Sequence, residues 1–497
     1  MTNYTKLAIK GTAIVLIISL FAGFLGYLVR LVLARNLSVE DFGLFNAVFS
    51  FLGLLGIFKS LGFDKALIKF IPEFRHENRD DHIKSSIIYV SIVQFIANAL
   101  IIAAVYFLSN FLSANFFHSM KARDVLNWLA VSFFIDSFVL TLKFAFQGFK
   151  RMVYFSSVDV VRMILVLAIS LIGFKLHYGL GSPVLAYVLT PLLLLLIFGW
   201  LLITNVFPEF VKSKFVFDMG LIKRISKYSI FVTETSVAGL LLYYTDTLVL
   251  TYFRDLKEVG LYSVALPTAK VFLYFPRAIG GMLLPLTSEL WAKREENLLK
   301  DGMELLYKYS IIFVVPMVLI MFSFTDLLIT LFYGKNYIAG SIPMKILSIG
   351  MIFAVLYGIN INFFAGIGKP QLTSKVTYIG ALLNLLINLA LVPFIGMIGA
   401  AIATTSSYFI MMVMGLLEIK KLIDIRFPIK LWTKTLAAGV IFTLIIWYSK
   451  IIFKIGNVWA ETMVILAISG LCYVSLLFFF RIIHVGELKV LYKRIAK

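Results

Sequence analysis

The sequence predicts an all-α polytopic membrane protein of about fourteen transmembrane helices, arranged as two parallel six-helix lobes around a central cavity with two further C-terminal helices. Three observations carry that reading. Apolar residues make up 61% of the 497 and charged residues only 14%, with a mean hydropathy of +0.96, well beyond the roughly half-apolar content of soluble domains. The basic residues fall in short links between apolar runs. A corner between two such runs also recurs: Leu31, Val32 and Leu33 are followed by Gly43, Leu44 and Phe45, and at the same interval Leu248, Val249 and Leu250 are followed by Gly260, Leu261 and Tyr262.

A helix needs about 20 apolar residues to cross ~30 Å of hydrocarbon, where it must satisfy its own backbone groups. Segments of that kind centre on residues 12–33, 42–63, 85–108, 125–147, 154–174, 182–204, 228–252, 260–284, 308–331, 343–365, 371–392, 397–417, 432–453 and 460–482. The opening "MTNYTKLAIKG" imitates a signal peptide, but the run after it is of spanning length and lacks a small-residue cleavage site, so it reads as an uncleaved first helix. Alternate links collect positive charge: Lys65, Lys69, Arg75, Arg79 and Lys84; Lys150 and Arg151; Lys212, Lys214, Lys223, Arg224 and Lys227; Lys293, Arg294 and Lys300; Lys420, Lys421, Arg426 and Lys430. The opposite links hold about a third as many, so the rich side, with both termini, is expected to be cytoplasmic, in a multi-pass protein of the cytoplasmic (inner) cell membrane.

Links 34–41, 253–259 and 393–398 are tight corners, whereas 205–227 and 286–307 are long enough to be expected as amphipathic helices along the membrane surface. The first of these, containing "FVKSKFVFDMGLIKRISKYS", falls between the repeated corners and reads as the connection between lobes. The expected organisation is an N-lobe over 1–204, an amphipathic cytoplasmic linker over 205–227, a C-lobe over 228–417, and two last helices with a cytoplasmic tail over 418–497. Because both corners join an outgoing helix to an incoming one, the first two helices correspond to the seventh and eighth in the same orientation, which is a parallel repeat.

The formal charge of +20 is a topology signal rather than a nucleic-acid face, because the cations are dispersed among membrane links. Cys472 is the single cysteine, and His76, His82, His118, His177 and His484 lie without ligand spacing, so neither a disulfide nor a metal site is expected.

Charges inside apolar segments are costly and usually face a partner or a hydrated cavity. The first eight segments carry Arg30, Lys59, Asp136, Lys143, Asp159, Arg162, Glu234, Asp246, Lys270 and Arg277. Asp136 and Lys143 share a helical face, as do Lys270 and Arg277, and Asp159 and Arg162 are spaced to pair on their own helix. The cations Arg30, Lys59, Lys143, Arg162, Lys270 and Arg277 are the candidate anion-binding set, since Arg and Lys suit phosphate; snorkelling to the surface is the bland alternative for Lys59 and Lys143. Pro267, Pro276 and Pro285 break the helix that carries Lys270 and Arg277. Asp136, Asp159, Glu234 and Asp246 are the candidates for ion coupling or gating, by H+ or Na+. Arg30 and Asp246 occupy nearly equal depths in the two corners and are the candidates for a latch closed when the protein is open to the cytoplasm, the alternative being that each meets interfacial water and lipid phosphate.

The stretch "FFAGIGKPQLTSKVTYIGALLNLLINLALVPFIGMIGAAIATTSSYFI" has Gly368 and Lys369 after one segment, Asn384 and Asn388 on the next, then Pro393, Gly396, Gly399, Ala400 and Ala401. It resembles the C-terminal signature of polysaccharide exporters, as "LARNLSVEDFGLFNAVFSFLGLLGIFKSLGFDKALIKFIPEF" resembles their opening and "TDTLVLTYFRDLKEVGLYSVA" their seventh-to-eighth helix connection. These belong to the oligosaccharide flippase branch of the superfamily that includes multidrug and toxin extruders and lipid II flippases. The resemblance implies two six-helix lobes, alternating access and lipid-linked sugar as cargo. Asn384, Asn388 and the Gly-Ala-Ala turn are expected to serve helix packing.

The expected function is therefore translocation of a lipid-pyrophosphate-linked oligosaccharide from the cytoplasmic to the outer leaflet, in the biosynthesis of O-antigen or another cell-surface polysaccharide. No catalytic residues and no cofactor are expected. The expected partners are the lipid-linked substrate, membrane lipids and, as a candidate, a glycan polymerase. A multidrug extruder of the same superfamily would favour an acidic cavity for cationic cargo, and a glycan polymerase or ligase would need a sizeable outer loop with acid, base or cation-binding groups. On this topology, single cysteines placed in 205–227 and in 253–259 react with a membrane-impermeant maleimide from opposite sides of the membrane. Labelling from one side would overturn it.

Overall fold

A computed structural model describes residues 3–453 and 456–483, apart from the side chains of residues 3–14, 16, 57 and 230–236; the expected C-terminal tail beyond 483, with His484, lies outside the described residues. The described chain is helical, without a strand. Helices α1 (Asn3–Asn36) and α2 (Val39–Ser60) flank the first corner, and α3 (Phe63–His76), α4 (Asp80–Asn115), α5 (Ala122–Gly148), α6 (Met152–Lys175) and α7 (Gly181–Leu201) follow. After the short α8 (Glu209–Lys212), α9 (Met219–Phe253) and α10 (Leu256–Ala269) flank the second corner. Then come α11 (Tyr274–Ala292), α12 (Glu296–Ser323), α13 (Thr325–Phe332), α14 (Ser341–Gly366), α15 (Pro370–Leu422), α16 (Ile429–Ile452) and α17 (Val458–Phe479).

Among the described residues, 12 helical segments are long and apolar enough to cross a membrane, rather than about fourteen. The 53-residue α15 counts once, although Gly396 breaks it at φ +55°, and in α9 only Val237–Phe253 is strongly apolar. At the α15 break, the Met397 amide donates to the Glu258 carboxylate at 2.9 Å, and Glu258 is in turn held by Arg254 at 2.7 Å. A side chain at Gly396 would overlap that carboxylate, so the positive φ and the close approach both call for glycine.

The chain packs as two compact units: Met1–Val264 with Phe332–Tyr337 and Ala381–Ala400, and Ala265–Leu331 with Ile338–Gly380 and Ala401–Lys497. In the first, α1 lies along α6, α6 and α5 against α7, α4 against α5, and α2 against α9. Its core includes the apolar stripe of α3, namely Leu67, Phe70, Ile71 and Phe74, under Phe146, Phe149, Phe198 and Phe207. Those four α3 positions follow the 3.6-residue period, which explains why a short, charge-flanked segment forms a helix there. In the second unit α14 packs on α11 and α12, α12 on α16, and α16 on α17.

The two long links differ from the expected surface helices. Within 205–227 the chain runs extended between α8 and α9, tied to one stripe of α4. The Lys214 amide donates to Asp81 at 2.7 Å, the Val216 amide to Ser85 Oγ at 2.9 Å and the Asp218 amide to the Tyr89 hydroxyl at 3.0 Å. Lys212, Lys214 and Val216 alternate with Ser213, Phe215 and Phe217, and a period of two suits extended chain rather than helix. Residues 286–307 are likewise no surface helix: α11 runs to Ala292 and α12 begins at Glu296, with Arg294 in the turn at φ +57°. The prolines of the preceding stretch do break its helix, through a 3-10 turn at Lys270–Leu273.

The repeated corner has a structural reason. Gly43 and Gly260 are each the fifth residue of the helix that follows their corner. A Cβ on Gly43 would overlap the carbonyl oxygen of Leu256, the first residue of α10, and a Cβ on Gly260 would overlap that of Val39, the first residue of α2. The contact is reciprocal, so each copy of the corner supplies the glycine that the other copy's backbone needs. Gly43→Ala or Gly260→Ala should lower the melting temperature of the detergent-purified protein by about 5 °C or more. Gly302→Ala in α12, where nothing lies within 4 Å of the added methyl, should leave it unchanged or raise it slightly.

Candidate functional site

The intramembrane charges of the first unit meet across helices rather than along them. Asp136 on α5 receives Lys59 of α2 on Oδ2 at 2.6 Å and Arg162 of α6 on Oδ1. One turn-pair along, Lys143 of α5 reaches both oxygens of Asp159 of α6, at 2.8 and 2.6 Å. Asp159 and Arg162 therefore do not pair with each other as their spacing suggested; each faces a partner on α5. Lys59 does not snorkel either. It is 7% exposed, and its ammonium also lies 4.5 Å from the centre of the Phe133 ring, while Asn98 holds its backbone carbonyl at 2.8 Å.

Lys59, Lys143 and Arg162 against Asp136 and Asp159 leave this group with one surplus positive charge. It borders a cavity of about 350 Å³, within the range of small-ligand pockets. Lys59, Asp136 and Arg162 form its charged wall, and Phe49, Phe133, Tyr187 and Tyr244 are its rings. Tyr244 lies where α2 carries Gly53, whose missing side chain makes the room. Sequence reasoning missed these rings, whose only signal was helical spacing, and also Asp64. In the first turn of α3, Asp64 is 3% exposed; burial pushes its carboxyl up, against the Lys65 amide and Ser60 hydroxyl that favour the charged form.

Asp246 on α9 is 1% exposed and sits in a different polar group. It accepts the Tyr262 hydroxyl at 2.6 Å and the side-chain amides of Asn384 and Asn388 at 3.1 and 2.8 Å. The asparagines thus do bond between helices, but to a carboxylate. Among the described residues Asn388 Oδ1 has no hydrogen-bond partner. Arg30 does not form the expected latch with Asp246: its guanidinium donates to the Ser263 carbonyl at 2.6 Å, because its face of α1 is turned to the α10 backbone beside Tyr262. Lys270 lies in the 3-10 turn of the second unit, and the Arg277 guanidinium lies 5.5 Å from the Tyr274 ring centre. The side chain of Glu234 lies outside the described residues. No cluster of three or more His, Cys, Asp or Glu suited to a metal ion occurs among the described residues.

Residues 8–291 match the family described as polysaccharide biosynthesis protein, and residues 235–390 match the MatE family. An uncharacterized membrane protein of Methanocaldococcus jannaschii is 33% identical over 100% of both chains. The probable low-salt glycan biosynthesis flippase Agl15 of Haloferax volcanii is 23% identical over 44% of this chain and 45% of its own. Among solved structures, lipid II flippase MurJ in its inward closed conformation superposes with a TM-score of 0.76 at 17% identity, covering 94% of this chain and 98% of that one. The fold is thus that of a multi-pass integral membrane protein. The chain belongs to the polysaccharide biosynthesis protein family.

Proposed function

We propose that this protein flips a lipid-pyrophosphate-linked oligosaccharide from the cytoplasmic to the outer leaflet of the cell membrane, for assembly of O-antigen or another cell-surface polysaccharide. The observation that carries the reading is the cavity whose charged wall shares one carboxylate between two cations. Buried charge is retained in a bilayer protein where it meets a charged ligand or a moving ion. A net positive wall suits the pyrophosphate, and Lys59 and Arg162 each keep N–H donors beyond those given to Asp136. The same surplus disfavours the cationic cargo of a multidrug extruder.

Transport is by alternating access of the two six-helix lobes, with both termini cytoplasmic, and it breaks no covalent bond. The driving ion, Na+ or H+, acts at Asp246. A buried carboxylate beside the open Asn388 carbonyl is a suitable seat for a small cation, and its protonation is the alternative means of coupling. A glycan polymerase acting on the delivered product is the natural partner.

The experiment is flipping of a fluorescent lipid-pyrophosphate oligosaccharide in liposomes with imposed Na+ or H+ gradients. Lys59→Gln and Arg162→Gln should each slow flipping by about tenfold or more, and Asp246→Asn should remove the response to the gradient. Undiminished flipping by the Lys59→Gln and Arg162→Gln double variant, recovered in normal yield, would overturn the reading.

A further inference from the structure

The cavity has more chemistry than a phosphate needs. In the same lining, Phe49 and Tyr187 meet edge to face with ring centres 5.2 Å apart, and Tyr244 lies against the bare backbone of Gly53. The Tyr187 carbonyl is held by Ser132 at 2.5 Å, which fixes the turn of α7 that carries this ring. One turn further along α7, Thr190 also lines the cavity. It is 1% exposed, and its hydroxyl has no hydrogen-bond partner among the described residues. Buried hydroxyls elsewhere, such as Thr251 of α9 and Ser348 of α14, bond the carbonyl four residues back at 2.7 Å, the usual way to satisfy a hydroxyl in a dry helix; Ser170 of α6 and Ser182 of α7 also lack a partner among the described residues, but of the three only Thr190 lines the cavity.

A ligand that satisfies such a site has an apolar face for the rings and hydroxyls around its edge. A hydrocarbon chain leaves Thr190 and the charges unmet, and an inorganic ion leaves the rings without purpose. A pyranose has both features: C–H groups on its faces and hydroxyls at its rim. Asp136 is equipped for it as well, since each of its oxygens accepts one bond from Lys59 or Arg162 and keeps a lone pair for a hydroxyl donor.

We infer that this cavity is the subsite for the sugar attached directly to the pyrophosphate, with the ring faces against Phe49, Tyr187 and Tyr244 and hydroxyls on Thr190 and Asp136. The inference rests on the proposed function and adds to it a place where sugar identity is read, beside the Lys59 and Arg162 charge that reads pyrophosphate. Thr190 and Asp136 are specificity residues in this arrangement.

The test uses the full-length protein in nanodiscs and compares farnesyl pyrophosphate with pyrophosphoryl-farnesols carrying a single hexose or N-acetylhexosamine. At least one sugar-bearing probe is expected to bind about tenfold more tightly than farnesyl pyrophosphate. That gain should fall to about threefold or less in Thr190→Val, which preserves side-chain shape, and in Phe49→Ala, where a ring 40% exposed is removed without emptying the core. A gain that survives both substitutions, or no gain with any sugar, overturns the subsite. Failure of farnesyl pyrophosphate itself to bind overturns the function on which the subsite rests.

Discussion

The Asp136 carboxylate, shared by Lys59 and Arg162, is the interaction on which the first unit depends. It joins α2, α5 and α6 at one point in a low-dielectric interior, where an unpaired charge of either sign would be costly. One acid for two bases is an incomplete neutralisation: the acid fixes both cations in place and leaves a net positive charge at the cavity wall. The Lys143–Asp159 pair ties α5 to α6 a second time and closes its own charge, so the surplus is confined to the cavity wall. This division between a structural pair and an incomplete triad gives the wall both rigidity and attraction for an anion.

The second constraint is backbone proximity at the corners. Gly43 and Gly260 let α2 and α10 touch through their first-turn carbonyls, and small residues at such crossings are what brings membrane helices together where no hydrophobic force acts between them. Beside that crossing, Tyr262 follows Gly260 by two residues and delivers its hydroxyl to Asp246, while Ser263 receives Arg30. The corner, the buried acid and the cation are consequently one construction. Movement of the crossing would alter the hydrogen bonds of Asp246, which is the physical link between ion binding and conformational change that the proposed function requires.

The helices were legible because hydropathy depends only on composition along the chain, and Lys270–Leu273 was legible as a break because proline cannot continue a helix. The site was legible in its residue types but not in its pairings. Asp159 and Arg162 are three apart and read as partners, yet both point from α6 to α5, since residues on one face are drawn to whatever packs against that face. Arg30 and Asp246 lie on α1 and α9, the helices that precede the two corners, but which way a helix is rotated about its axis depends on its neighbours, and that rotation gives Arg30 to Ser263. Asn384 and Asn388 read as packing residues because their partner Asp246 is 138 and 142 residues away. The extended 213–218 strap, by contrast, was there to be read in the period of two that sets Lys212, Lys214 and Val216 against Ser213, Phe215 and Phe217.

The central claim is that the charge left over at Asp136 is completed by the pyrophosphate of the substrate. It is tested most directly by the thermal stability of Asp136→Asn with and without farnesyl pyrophosphate. The account predicts a variant less stable than wild type when alone, because Lys59 and Arg162 lose their shared partner, and a larger stabilisation by ligand than wild type shows, because pyrophosphate then replaces the missing carboxylate. A variant as stable as wild type, or one that the ligand stabilises no more than it does wild type, would contradict it.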